Sequence, residues 1–403
     1  VKVLLLADRI YPHIFTGFTS YQMGLIKALL QLSDIELTAA STTHPKKTLM
    51  RAFQCSELRE DFIKIAIKLD ALLLFPEEGG VKGVGRKFNA LRTFMPIVKR
   101  DFDVTHVLHP FLEGFESLLS SYNGWIIKHK ITQSTTRTRA FINLHIYRAM
   151  RSLNERFLLA FSSDWLAKAY FSPHPYMIVP PAIDTDIYKP ISSTRNLDLP
   201  ISIENCETIL YIGHILPSRF PYWHILKAMK LLNSIIGRQV NLLVITAPWR
   251  YLKSEHINEV YSYASRLDIV NQVSVIVKPL MQSEKVKLFN KCSALIQLFT
   301  EPTYPIIPLD PPITILEAMA CGLPVVTSKS FSIPSFIKDG YNGFFINSID
   351  EKSIAEALAE ALAEALTTSK RISYNARRTI INNFSLAEGA SRLRHIYQEI
   401  GVL

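Results

Sequence analysis

The sequence predicts an α/β chain built from two doubly wound, Rossmann-like units facing a cleft. Apolar runs of strand length alternate with segments of helical period through the first half. A stretch rich in Pro, Ser and Asn, Lys189 to Glu204, then breaks the alternation, and the same alternation restarts at Thr208. Near-continuous apolar strands separated by helices indicate parallel sheets covered on both faces. A chain of 403 residues with 48% hydrophobic content can bury two such cores.

Val3 to Ala7 reads as a buried strand, Ser20 to Leu32 as an amphipathic helix, and Glu36 to Ala40 and Val104 to Leu108 as the next strands. Leu158 to Ser162 and Met177 to Val179 continue the series. After the break come strand Thr208 to Ile212, helix Tyr222 to Ser234, strand Asn241 to Thr246, helix Ser254 to Arg266, strand Val273 to Val277, helix Ser283 to Lys291 and strand Ala294 to Leu298. The four-residue repeat of Ala, Leu and Glu from Ile354 is strong helix-forming material and reads as a structural surface helix. The expected domains are residues 1–190, residues 191–383 and a terminal helical stretch, 384–403.

No run approaches the roughly 20 uninterrupted apolar residues of a membrane span, and no charged-then-apolar leader precedes the first strand, so the expectation is a cytoplasmic protein. Cys55, Cys206, Cys292 and Cys321 have no paired spacing, which points to reduced thiols and neither a disulfide framework nor a zinc site. The net charge of +10 is concentrated in two runs. Lys82, Arg86, Lys87, Arg92, Lys99 and Arg100 form the first, and Lys128, Lys130, Arg137, Arg139, Arg148, Arg151 and Arg156 the second. Each can be a solvated basic face. With Phe88, Leu91, Phe94, Met95 and Ile97 interleaved, the first also suits a peripheral contact with an anionic membrane surface. No nucleic-acid reader module accompanies the charge.

The most informative stretch runs from Pro308 to Val326: a proline-marked loop, Asp310, a short helix carrying Glu317, a Cys321-Gly322 stop and the strand Pro324 to Thr327. Asp310 can cap the helix, Pro311 and Pro312 suit its first turn, and Gly322 suits its end. A helix start above a sheet edge directs free N–H groups and the positive end of the macrodipole at a ligand, and favours phosphate. Glu317 is expected to face the same cleft.

This segment resembles the signature of GT-B-fold glycosyltransferases of the retaining family 4 type. In that family a Glu-Gly-Phe-Gly turn leads into a Leu-Glu-Ala-Met-Ala helix and a Pro-Val-Val strand. The second family glutamate falls on Glu317 and the first on Leu309, with Asp310 one position later as a stand-in; Pro311 and Pro312 occupy the glycine-containing turn. Prolines there donate no backbone hydrogen bond to a sugar hydroxyl. Other segments extend the resemblance. In Gly213-His214-Ile215-Leu216-Pro217-Ser218-Arg219 the family's Arg and Lys grip the donor diphosphate; Arg219 keeps the second charge and His214 replaces the first. A free histidine titrates near pH ~6.5, and a neighbouring phosphate favours its protonated form. Tyr11 to Gly17 resembles the loop whose glycines let backbone approach the donor, and His109 falls where a family histidine contacts the donor sugar. His106, inside the strand, is expected to point into packing. Asp184-Thr185-Asp186 mimics a metal-binding pair within the family's Pro-x-Gly-x-Asp segment, but its expected role is capping, because the family requires no metal.

The resemblance implies an N-terminal acceptor domain, a C-terminal nucleotide-sugar domain and a last helix returning to the first domain. The expected reaction moves a sugar from a UDP- or GDP-linked donor to a glycan or lipid-linked acceptor with retention of configuration, and without a cofactor. His109, Glu317 and Asp310 are the expected catalytic residues. Gly17, His214, Arg219, Lys278, Pro312, Ile313, Thr314 and Glu317 are expected to bind the donor, with backbone around Val277 to Pro279 as a wall for the base. Three departures, Leu309, His214 and the paired prolines, keep open a catalytically weakened partner subunit that binds a sugar nucleotide or glycan. A GT-B-fold epimerase or phosphorylase is a lesser rival. Gly79 to Lys87 lacks the Gly-Lys-Ser/Thr ending of a phosphate loop, and Glu113 and Glu116 read as helix-surface decoration.

Overall fold

The computed structural model describes residues 1–7, 17–41, 102–108, 124–131, 145, 149, 151–152, 155–170, 175–191, 207–247, 252–278, 280–300, 309–367 and 370–403. His109, the Gly79 to Lys87 loop, Glu113 and Glu116, Cys55, Cys206 and the basic run from Lys82 to Arg100 lie outside these residues. The chain divides into two compact units: Val1–Ala182 with Leu386–Leu403, and Ile183–Ser385.

The first unit holds a parallel six-stranded sheet in the order β2-β1-β3-β4-β5-β6. The strands are β1 (Lys2–Ala7), β2 (Glu36–Ser41), β3 (Val104–Val107), β4 (Trp125–Lys130), β5 (Phe157–Phe161) and β6 (Tyr176–Ile178). Helix α1 (Gly17–Leu29) follows β1, and the six-residue α2 (Asp164–Ala169) follows β5, capped by the Ser163 hydroxyl accepting from Leu166 N–H. The strand order reverses between β1 and β3. Gly17 opens the helix after β1, beside this reversal, and Tyr11 to Thr16 lie outside the described residues.

Strand β4 corrects the reading of the second basic run. Lys128 and Lys130 belong to no solvated face: both are buried within the sheet. The Lys130 ammonium lies 5.9 Å from the centre of the Tyr170 ring. Lysines alternating through Trp125–Lys130 break the apolar continuity by which a central parallel strand is recognised, which is why the run reads as charge rather than strand.

The last helix, α9 (Leu386–Glu399), packs on α1 and completes this unit. Close approach requires missing side chains. A Cβ on Gly389 would stand 2.9 Å from the Ala182 Cβ, and one on Gly24 would collide with Ala182 O.

A directed hydrogen-bond chain runs beneath these helices. The Tyr21 hydroxyl donates to Val179 O at 2.8 Å, so it accepts from His129 Nδ1 at 3.2 Å. A neutral His129 then offers Nε2 as acceptor to His106 Nδ1 at 2.7 Å, and His106 Nε2 accepts from Tyr397 O–H at 2.6 Å. One tautomer of each imidazole satisfies every atom. Burial pushes His106 down to about 3 and His129 well below the usual histidine range, the latter helped by His106 and Lys128. His106 thus points inward as expected, but into a polar network that ties α9 to β3, β4 and α1.

The second unit carries the order β12-β11-β10-β7-β8-β9, again parallel. Its strands are β7 (Thr208–Ile212), β8 (Asn241–Thr246), β9 (Val273–Val277), β10 (Ala294–Gln297), β11 (Val325–Thr327) and β12 (Phe344–Phe345). Its helices are α3 (Tyr222–Ile236), α4 (Ser254–Arg266), α5 (Gln282–Lys291), α6 (Ile313–Ala320), α7 (Glu351–Leu366) and α8 (Arg371–Phe384). The Ala-Leu-Glu repeat forms α7, starts on an Asp350 cap and buries Ile354, Leu358 and Leu362 in the core beside α3.

The division between units falls at Ala182, not at residue 190. Ile183 N–H bonds Phe384 O at 2.6 Å, and the Arg377 guanidinium donates to Tyr188 O at 3.0 Å, Thr185 O at 3.2 Å and Ala320 O at 2.6 Å. These bonds place 183–190 with the second unit. The other division falls after Ser385, against an expected 383. Among the described residues, no helix is long and apolar enough to cross a membrane.

Candidate functional site

In the second sheet the order reverses between β7 and β10, so the loops leaving these two strands flank the ligand crevice of the fold. The loop after β7 carries Gly213, His214 and Arg219. The loop after β10 leads to α6. Thr300 N–H donates to Ser218 O at 2.9 Å and ties the two loops together. A Cβ on Gly213 would lie 2.8 Å from the Tyr211 hydroxyl, which explains glycine there. That hydroxyl donates to His214 O at 2.8 Å and takes a hydrogen bond from the Gln297 side chain at the end of β10.

His214 and Arg219 are both half-buried, and their electrostatics differ from the free residues. Burial, then the neighbouring Arg219 charge, pushes His214 down to about 4. The sequence reading puts its titration near pH ~6.5 unless perturbed; burial and Arg219 are that perturbation, and they leave His214 neutral at pH 7. Burial also pushes Arg219 down to about 10, which leaves its guanidinium charged at neutral pH.

Helix α6 begins on Pro312, and no side chain caps it. This corrects the role expected of Asp310. Its carboxylate is buried and accepts from Ser332 N–H at 3.0 Å and Ser332 O–H at 2.7 Å, so it anchors the segment after β11 instead of closing the helix. Ile315 N–H closes on Pro312 O at 3.1 Å, while Ile313 and Thr314 occupy the first turn, where amides lack intrahelical acceptors. The helix ends as its sequence predicts. Gly322 takes φ +77°, its N–H reaches Met319 O at 3.0 Å, and Leu323 N–H reaches Ala318 O at 3.0 Å, a Schellman closure before β11.

Glu317 is 1% exposed. Its carboxylate is turned to α5 and the segment before the second sheet: Lys285 Nζ donates at 2.8 and 2.7 Å to its two oxygens, and the Tyr188 hydroxyl donates at 2.8 Å. Burial first, and the Glu317 charge second, hold the Tyr188 phenol well above its usual range. Lys285 and Tyr188 are the partners of Glu317 that sequence reasoning missed. Lys285 sits on a helix between Glu284 and Val286, with Lys287 close by, and reads as a surface cation.

Lys278 stands apart from this grouping. It follows β9 at the sheet edge, with β8 between β9 and β7, and its ammonium is held by Glu284 at 2.6 Å. Asp184 Oδ1 accepts from Asp186 and Ile187 N–H, each at 3.2 Å, so the Asp-Thr-Asp segment closes its own turn. Cys292 and Cys321 are buried free thiols, each pushed up to about 12, chiefly by burial.

Residues 202–379 match the family described as Glycosyl transferases group 1. This segment is a glycosyl transferases group 1 domain. Among curated relatives, a D-inositol 3-phosphate glycosyltransferase of Stackebrandtia nassauensis is 24% identical over 191 residues, which is 46% of this chain and 40% of the relative. Its counterpart from Acidothermus cellulolyticus is 26% identical over 193 residues, with the same shares covered. The match thus spans less than half of those relatives. Among solved structures, Anabaena Alr3699/HepE in complex with UDP and glucose superposes at a TM-score of 0.69 with 15% identity, covering 99% of both chains. That likeness establishes the fold, two doubly wound Rossmann-like domains of the GT-B class.

Proposed function

We propose that this group 1 protein transfers a sugar from a nucleotide-diphosphate donor to a glycan or lipid-linked acceptor with retention of configuration. The observation that carries the reading is that the loop bearing His214 and Arg219 follows β7, and the segment leading to α6, which has no side-chain cap, follows β10, the two strands that flank the order reversal of the second sheet. Arg219 and the amides of Ile313 and Thr314 supply positive potential where a departing diphosphate gathers charge. His214 takes up a proton when that phosphate arrives, because an anion beside it favours the charged form. The family resemblance also assigns Gly17 and His109 to the donor sugar. Anabaena HepE, solved with UDP-glucose, favours UDP over GDP as the carrier. The chemistry calls on no metal and no cofactor. An anionic membrane surface is the proposed docking partner of the Lys82 to Arg100 run, and Lys128 and Lys130, being buried, take no part in it.

A thermal-shift screen with UDP, GDP, ADP and their sugar conjugates tests the donor class. Stabilisation that grows with the concentration of one nucleotide is the expected result. Arg219→Gln should weaken that nucleotide by about 1.5–3 kcal/mol, roughly ten- to a hundredfold, the worth of a hydrogen bond to a charged group. Equal affinity in the folded variant would remove Arg219 from the site.

A second reading, a partner subunit that binds a sugar nucleotide or glycan with weakened catalysis, is favoured by one set of contacts. Leu309 holds the first glutamate position, Asp310 is committed to Ser332, and Glu317 to Lys285 and Tyr188. Nucleotide binding without consumption of the donor sugar would select it.

A further inference from the structure

We propose that Tyr211 and Gln297 form a polar floor that positions the His214–Arg219 loop for an anion, the pair being positioning residues of the donor site. This rests on the donor-binding reading above.

Tyr211 is fully buried in β7, and Gln297, on the adjacent strand β10, is buried as well. Their immediate strand neighbours are apolar: Ile209 and Leu210 precede Tyr211, and Leu295 and Ile296 precede Gln297. A phenol and an amide in such a core cost free energy unless they bond something. Their bonds run to each other and to the loop. The Tyr211 hydroxyl has a single proton, which it gives to His214 O at 2.8 Å, so the Gln297 amide must be the donor to the phenol. That fixes the Gln297 amide with Nε2 toward Tyr211, and Nε2 also lies 3.4 Å from a Cβ position on Gly213. Among the described residues the remaining Gln297 oxygen finds no hydrogen-bond donor. A buried amide of this kind is retained at a cost, and through the phenol it organises the turn at His214.

The ring of Tyr211 is in turn braced by Phe220, at 4.6 Å between ring centres, on the far side of the same loop. The loop from Gly213 to Phe220 is thus held at both ends by one side chain. Arg219 lies close enough to Tyr211 for the two to perturb each other's protonation. The pair crosses the strand-order reversal, directly below the segment that would meet a diphosphate. Pre-fixing a binding loop improves affinity by removing the ordering cost from the binding step.

The test is titration of wild type, Tyr211→Phe and Gln297→Leu with UDP and with inorganic pyrophosphate, between pH 5.5 and 8 (a range spanning roughly the free histidine value). Wild type should bind both ligands more tightly as pH falls, through proton uptake at His214, which is faced by Arg219 and Tyr211. Tyr211→Phe should lose about tenfold for both ligands, and its pH dependence should flatten as the His214 turn loosens. Gln297→Leu should do the same to a smaller extent, and serves if the tyrosine variant fails to fold. Unchanged affinities and an unchanged pH profile in folded variants would overturn the proposal, as would a loss confined to UDP, which would put the pair under the base. Wild type that binds neither ligand would overturn the donor-binding reading itself, and this inference with it.

Discussion

Replacing Lys285 with methionine is expected to destabilise the protein by about 3–5 kcal/mol, because it leaves a buried carboxylate without its counter-ion. The side chains of Lys285 and Glu317 are only 7% and 2% exposed, so water cannot take over the lost contact. The Tyr188 hydroxyl would remain on one oxygen and soften the loss without replacing a charge. Guanidinium unfolding should show the transition at lower denaturant with the slope unchanged. The double variant Lys285→Met with Glu317→Leu should regain most of the stability, since apolar groups of similar volume commonly substitute for a buried pair. A single variant as stable as wild type would mean that the pair does not hold α5 and α6 together. Donor affinity separates structure from ligand contact: the double variant should bind nucleotide normally if Glu317 serves only Lys285 and Tyr188, and weakly if it also reaches the ribose.

Acid should weaken the first unit steeply. His106 and His129 are held neutral by burial, with folded values below those of the unfolded chain. The unfolded state therefore binds the extra protons first. The stabilisation is fully present above the unfolded value near pH ~6.5 and is lost as pH falls from there toward the folded values, at about 1.4 kcal/mol per pH unit for each histidine. At pH 5 His106 alone would forfeit about 2 kcal/mol, and His129 adds to the loss in the same direction. Denaturant unfolding from pH 7.5 to 5 should show this slope, and a His106→Gln, His129→Gln variant should lose most of it. A flat profile in the wild type would show that the network accepts protons in the folded state, contrary to a directed chain of neutral imidazoles. Tyr397→Phe leaves His106 Nε2 without its donor and should cost about 1–3 kcal/mol at neutral pH.

What was legible in the sequence was whatever depends on neighbours along the chain. Strands β7, β8 and β9 and helix α4 lie where their apolar periods put them, and Gly322 ends α6 as a left-handed closure demands. The family resemblance reached the β7 loop and α6 for the same reason, since both are short contiguous segments. Contacts between distant segments were not legible. Asp310 stands beside a helix start and looks like a cap, yet Ser332 claims it. Glu317 looks free because nothing near it in sequence is basic; Lys285 comes from another helix. Strand β4 was hidden by lysines whose burial no periodicity announces, and His106 gave no sign that its partners would come from residues 129 and 397.

The hydrogen-bond chain that ends at Tyr397 also sets an order of events during synthesis. The second unit is one continuous segment, Ile183–Ser385, lying inside the sequence of the first, whose final helix is Leu386–Glu399. It can close its core as soon as Ser385 has been made. The first unit, although its sheet is translated earlier, must hold an unfinished surface at the His106–His129 pair and α1 until Leu386–Glu399 has been made. Domains usually complete in the order in which they are made, the amino-terminal one first. Here that order is inverted: the unit whose sheet is made first is the one that closes last.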